Sequence, residues 1–386
     1  MGRHYGMDWL RIGAFGLLIL YHIGMVFVPW NYHVKTAQTL DWVQVPMQAV
    51  NAWRLFLLFV VSGYASRAIF AGHRAPGDFA WARTLRLMIP TITAILVVVP
   101  PQPWVELVTK HGYAHSFLHF WVHDYFRFGA LHALVLPNWQ HLWFVVYLWV
   151  YTLVLALALA ILPARAKALA ARLADFGLGG VLILLVPAAL LIGHWAWTFP
   201  GARETHGLID DGPIHRIYAA MFLFGFHLRE SPALWRAIRR WWPVAAALAL
   251  AAYAVVASIE IAYLGPPRMS RTLWFVFGVA RAVQSWCAII ALIGMADRWL
   301  NRDHPIRKML NEAIFPFYII HQTIIVVVQG ELLRYGLHPA AEFAILLAAT
   351  TAGCWGFYAL GRRISWVRPL IGLKMASAPA RPATFA

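Results

Sequence analysis

The chain has 386 residues, 61% of them hydrophobic and 12% charged, with a mean hydropathy of +0.63. A soluble globular domain carries about a quarter charged residues, so this composition excludes that class and points to a polytopic membrane protein. The formal net charge of +16 could suit nucleic acid, but the Lys and Arg residues fall in short clusters between apolar blocks. No basic stripe with interleaved aromatics exists, so no nucleic-acid partner is expected.

Ten apolar blocks are long enough, or nearly so, to cross a hydrocarbon layer of about 30 Å. They lie near 10–29, 51–70, 87–104, 139–162, 179–199, 214–229, 243–264, 272–296, 313–330 and 342–361. The expected fold is therefore all-α, a membrane protein of about ten transmembrane helices. The first block runs on into "FVPWNYH" with no small-residue cleavage site, so it reads as a retained helix and not a signal peptide. Cys287 and Cys354 both lie inside apolar blocks and give neither a disulfide framework nor a zinc pattern. No metal is expected.

Charge placement tests the count. With a cytoplasmic N-terminus, the inside segments hold 22 of the 32 basic residues and the outside segments hold eight, while Arg54 and Arg281 fall within spans. This alternation follows the positive-inside rule and places both termini in the cytoplasm. Residues 8–361 form the membrane domain. Residues 362–386, ending in "MASAPARPATFA", read as a basic, disordered cytoplasmic tail.

The outer loop of about 105–138 contains "KHGYAHSFLHFWVHDYFRFGALH". His111, His115, His119 and His123 recur every fourth residue and would share one helical face. An amphipathic helix at the outer surface, walling an acceptor groove, explains them better than a metal site does.

Ionisable residues inside spans are costly and mark function by default. The first span contains "RIGAFGLLILYH", Arg11 to His22. Eleven residues are three helical turns plus about 20°, so the two side chains share a face, about 16 Å apart along the axis. Arg11 would sit at the cytoplasmic mouth and suit an anionic group such as phosphate. His22 would sit past the midplane and suit a general base, because a desolvated imidazole favours its neutral form. The competing reading is a snorkelling Arg11 and a His22 that merely bonds a neighbouring helix.

Later segments add polar groups in the same style. "LFLLFVVSGYASR" brings Ser62 and Gly63, which permit close approach of backbone or ligand. "WARTLRLMIP" sets Arg83 and Arg86 side by side on a helix. "PNWQHLWFVVYLWVY" carries His141 at the outer mouth, with Trp139, Trp143 and Trp149 fitting an aromatic belt. "FPFYIIHQTIIVVV" places His321 and Gln322 mid-membrane.

The R-x10-H of span one, "FVVSGY", "RTLRLMIP", "HLWF" and "FYIIH" occur in the order seen in the membrane-bound acyltransferase 3 family, which the chain resembles from residue 8 to about 360. "PNWQHLWF" and "YGMDWLRIGAF" look most like its glucan biosynthesis protein C branch, periplasmic glucan succinyltransferases. Tyr64 departs from the commoner Phe after Ser-Gly. The resemblance implies a bacterial inner-membrane enzyme with no bound cofactor. It would move an acetyl or succinyl group from cytoplasmic acyl-CoA to a hydroxyl of an extracytoplasmic carbohydrate. His22 and Arg11 would be catalytic, with Arg83, Arg86, Ser62 and Gly63 at the donor. His141, Trp143 and His321 would line the acceptor site or tunnel. The lipid bilayer is its other partner, and a homo-oligomer is compatible with the sequence.

Two other classes compete. A transporter or flippase of an anionic or sugar substrate would also use intramembrane Arg and His, though no inverted repeat is evident. A haem or quinone redox protein is suggested by the 17 histidines, but bis-histidine haem ligation needs His pairs on facing spans, whereas most of these histidines lie in the outer loop or near span ends.

Overall fold

The computed structural model describes residues 4–132, 134–202, 204–264 and 269–375. Fifteen helices follow in chain order. They are α1 (Tyr5–Gly24), α2 (Gln44–Asn51), α3 (Arg54–Phe70), α4 (Pro76–Thr93), α5 (Pro101–His111), α6 (Phe117–His119), α7 (Trp143–Ile161) and α8 (Ala164–Gly177). The remainder are α9 (Leu182–Thr198), α10 (Gly212–Leu228), α11 (Pro232–Ala262), α12 (Arg271–Trp299), α13 (Pro305–Leu332), α14 (Pro339–Arg363) and α15 (Val367–Leu370). Among the described residues the one sheet is an outer-loop hairpin of β1 (Gly129–Leu131) and β2 (Leu134–Leu136).

Starts and stops follow local chemistry. Proline occupies the first turn of α4, α5, α10, α11, α13 and α14, where its missing N–H removes no helical bond. Ser231 and Ser270 cap α11 and α12 by accepting the amides of Leu234 and Leu273 at 3.1 and 3.2 Å.

Each of the ten expected blocks lies on a helix, although the first ends early: α1 stops at Gly24. By length and apolarity, seven described helices qualify as spans, or eight if α8 and α9, bent by 97°, count as one. The expected ten is reached only by adding α1, which carries Asp8 and Arg11, and α10, which has 17 residues. Packing directions agree with adding both. Asp8, Arg11 and His22 of α1 meet Arg307, Asn311 and His321 of α13 in that order, so the two run parallel. Phe59, Gly63 and Arg67 of α3 meet Tyr218 and Phe222 of α10 and Glu230 just after it, also in parallel. If all ten helices cross, these pairs are spans one and nine and spans two and six, which must point the same way. Omitting α10 would make α1 and α13 antiparallel.

Two expectations need correction. The outer-loop histidines do not share one face. Gly112 adopts the left-handed conformation (φ 65°) that ends α5. His111 then stacks on His132 at 5.4 Å, whereas His115, His119 and His123 form a separate ladder with ring spacings of 4.3 and 4.8 Å. The expected disordered tail is partly folded: α15 lies within it, and Ile371 and Leu373 just after that helix pack beside Ala313 and Tyr358. Residues 376–386 lie outside the described residues.

A π-helical turn, Ala94–Val98, joins α4 to α5. Such a turn releases carbonyls from the helical ladder. Those of Ile95 and Leu96 accept the Tyr125 hydroxyl and the Trp121 indole N–H, each at 2.9 Å. The outer loop is thereby tied to the bundle near the mouth of the site.

Candidate active site

His22 and His321 meet between α1 and α13. His22 Nδ1 lies 2.7 Å from His321 Nε2, and the rings are nearly parallel at 5.0 Å. The other nitrogen of His321, Nδ1, lies 2.8 Å from the Tyr318 carbonyl. A carbonyl only accepts, so His321 Nδ1 carries the proton. In the neutral ring Nε2 is then an acceptor, and His22 Nδ1–H donates to it. This assigns the lone pair of His22 to Nε2, which makes no hydrogen bond among the described residues. A base whose second nitrogen is held by an orienting partner is the arrangement general-base catalysis requires.

The His22 ring borders a cavity of about 450 Å³, whose wall includes Tyr32, His33, Arg54, His141, Trp143 and Gln322. That volume fits a small ligand or one to two sugar units. A second cavity of about 300 Å³ adjoins it across Asn51, Leu55 and Glu204, with Trp195 and Tyr218 in its wall. Polar groups interleaved with aromatic faces suit carbohydrate.

His141 is buried in this wall. Its Nε2–H is shared between the carbonyls of Tyr318 and Ile319 at 3.0 and 3.2 Å, while Nδ1 has no partner. Trp143 is not an interfacial belt residue: it is buried, stacked on His206 at 4.4 Å, with its neighbour Trp139 donating to the His206 carbonyl at 3.0 Å. Trp149 likewise faces inward and donates to the Thr84 hydroxyl at 2.9 Å. The belt expectation fails because the first turns of α7 face the cavity and the chain around His206 covers them.

Several wall residues escaped the sequence reading. The Glu106 carboxylate lies 2.6 Å from His33 Nδ1, and His33 Nε2 accepts from the Gln322 amide at 3.0 Å. Gln322 also donates to Gln102, which donates to Thr323 at 2.7 Å. This second imidazole is fully engaged, unlike that of His22. Arg54 and Glu204 also reach the wall. The signal for Arg54 was its position inside a span; His33 and Glu204 come from loops, which have no periodicity to mark them.

The other end of α1 gathers cations. Arg11 donates to the Asn311 side chain at 2.6 Å. Arg83 is buried with Nε unbonded, and both Arg86 and Arg11 are close enough to repel it. A buried guanidinium with two others near it favours a polyanion. Ser62 and Gly63 sit elsewhere. A Cβ on Gly63 would lie 1.9 Å from the Phe222 carbonyl, and one on Gly225 would lie 1.9 Å from the Val60 carbonyl, so these glycines let α3 and α10 touch backbone to backbone. Neither Ser62 nor Gly63 borders the two cavities.

A family model described as an acyltransferase domain matches residues 4–359. The chain is 30% identical over 151 residues to the Glucans biosynthesis protein C of Shigella boydii serotype 4 (strain Sb227) and to that of Escherichia coli (strain K12). The match covers 39% of this chain and 37% of each relative. No solved structure matches. Since the family model covers nearly all of a helical chain with many candidate spans, the protein belongs to the acyltransferase 3 family and is a multi-pass membrane protein.

Proposed function

We propose that this protein transfers an acyl group from cytoplasmic acyl-CoA to a hydroxyl of an extracytoplasmic carbohydrate, at the bacterial inner membrane. The relatives' name, which refers to glucans, favours a glucan acceptor. The observation that carries the reading is His22 in the wall of the outer cavity, its Nδ1 held by His321 and its Nε2 without a hydrogen bond among the described residues.

The donor's phosphates rest against Arg11, Arg83 and Arg86, and its long arm enters the bundle along α1. The rise from Arg11 to His22, about 16 Å, separates head from thioester. The sugar enters from outside between His141, Trp143 and His206. The acceptor O–H gives its proton to His22 Nε2 as its oxygen attacks the thioester carbonyl. The tetrahedral intermediate collapses, the C–S bond breaks, and the departing sulfur takes that proton back as a thiol. No covalent acyl-enzyme is required. An even number of crossings puts both termini on one side, and the positive-inside placement of the basic residues makes that side the cytoplasm, which puts the Arg11 end inside.

The test uses purified protein in nanodiscs with labelled acyl-CoA and a neutral glucan. Ester-linked label on the glucan, lost in His22→Ala, supports the reading. Movement of unmodified substrate across a sealed membrane, with no ester formed, would establish a transporter instead.

A further inference from the structure

Arg54 opens α3 and is only 6% exposed. Its guanidinium carbon stands 3.3 Å above the Tyr21 ring. That contact uses the face of the guanidinium, whereas its N–H donors point outward in the plane. Nε and Nη1 are buried and have no hydrogen-bond partner. The side chain borders the outer cavity together with His22 and Asn51.

Glu204 is near enough to feel the Arg54 charge, but the two form no ion pair. Among the described residues no carboxylate lies within ion-pair distance of Arg54. Glu204, which borders the same cavity, accepts the Tyr218 hydroxyl at 2.5 Å and lies 3.6 Å from His206. Arg281 donates to Gln48, which donates to Glu260 at 3.4 Å. A permanent cation buried with unmet donors is costly, and such a position fits one whose anion arrives with a ligand.

We infer that Arg54 is an anion-recognition site of the outer cavity, taking a single carboxylate carried by one of the two substrates. The inference rests on the acyl-transfer reading of this site. One guanidinium matches one carboxylate. A phosphate dianion fits poorly, because among the described residues Arg54 is the one Lys or Arg bordering that cavity and Glu204 stands in the same wall. The carboxylate belongs either to the distal end of the acyl group, as in the half-thioester of a dicarboxylic acid, or to a uronate unit of the acceptor. Both reach the cavity that His22 borders.

Equilibrium binding to the full-length protein in nanodiscs separates these sources without needing turnover. Succinyl-CoA is compared with butyryl-CoA, its nearly isosteric neutral partner, and a glucuronate-containing disaccharide with its glucose counterpart. In the wild type the carboxylate-bearing member of one pair binds about tenfold tighter or more, as expected for a charge-assisted pair. The pair that discriminates identifies the source. In Arg54→Gln that ratio falls to within about twofold of unity, and Arg54→Lys retains part of it. Equal binding within both pairs by the wild type overturns the inference, and this needs no variant to fold. So does discrimination that survives in Arg54→Gln at an unchanged thermal midpoint. Charge discrimination with no label transferred to any acceptor would instead refute acyl transfer while leaving the anion site standing.

Discussion

His22 Nδ1 and His321 Nε2 sit 2.7 Å apart on two parallel helices, and the Tyr318 carbonyl fixes the far side of the second ring at 2.8 Å. The chain of donors therefore has one direction, from His22 through His321 to backbone. It leaves a basic nitrogen at the cavity and needs no carboxylate to orient it.

This arrangement assigns different losses to the two rings. His22→Ala should lower kcat by about 10²–10⁴-fold, the usual contribution of a positioned base. His321→Ala should lower it less, by about 10–100-fold, as for other orienting partners. His321→Gln should recover part of that loss, because its amide oxygen can accept from His22 Nδ1–H. Initial rates at saturating substrates check this; a His321→Ala enzyme with normal kcat and pH profile would remove the orienting role.

The cation cluster should act on donor affinity. Arg83→Ala should raise KM for acyl-CoA about tenfold, with little change in kcat, since the phosphates are bound alike before and during reaction. The wild-type KM should also rise with salt, as screening weakens the pull of the exposed Arg86 on the phosphates. An Arg83→Ala enzyme with unaltered donor KM would remove the residue from the donor site.

Gly63 is a packing residue and should behave as one. Gly63→Ala places a methyl 1.9 Å from the Phe222 carbonyl, and overpacking of this kind typically costs about 1–3 kcal/mol. Gly13→Ala on α1, which meets nothing within 4 Å, should be neutral or slightly stabilising. Thermal midpoints of the two variants in the same detergent separate the cases. Equal midpoints would mean that α3 and α10 are not in backbone contact.

His4, just before α1, stacks on Trp235 at 4.2 Å with Nδ1 3.2 Å from Asp297. Burial holds its pKa below the ordinary 6.5, against the opposing pull of Asp297. The unfolded chain then binds the proton more readily than the fold does. Stability is retained above pH 6.5 and falls as the pH drops through 6.5 toward the lower folded value. His4→Gln should flatten the decline in thermal midpoint between about pH 7 and 5. A steeper decline in the variant would reverse the sign assigned to this ring.

Much of the bundle was legible from hydropathy and charge, because the membrane forces apolar length and cationic ends onto each crossing. The His22–Arg11 face was legible from helical period alone. The partnership with His321 was not, since two histidines 299 positions apart share no local signal. Gly63 was read correctly as permitting close approach, but only packing shows that backbone and not ligand approaches it. His33 and Glu204 reach the site through loops that fold over the outer mouth. There the pattern of polar residues is the same whether they face water or a cavity.

One peptide oxygen, that of Tyr318, receives both the His141 ring and the His321 ring. The His141 side of the cavity wall and the His22–His321 pair are thus geared to a common axle, α13. A slight roll of that helix swings both imidazoles together. Reshaping the cavity by shifting α13 would therefore also disturb the His22–His321 contact in the same stroke, whereas changes made on the loops would not.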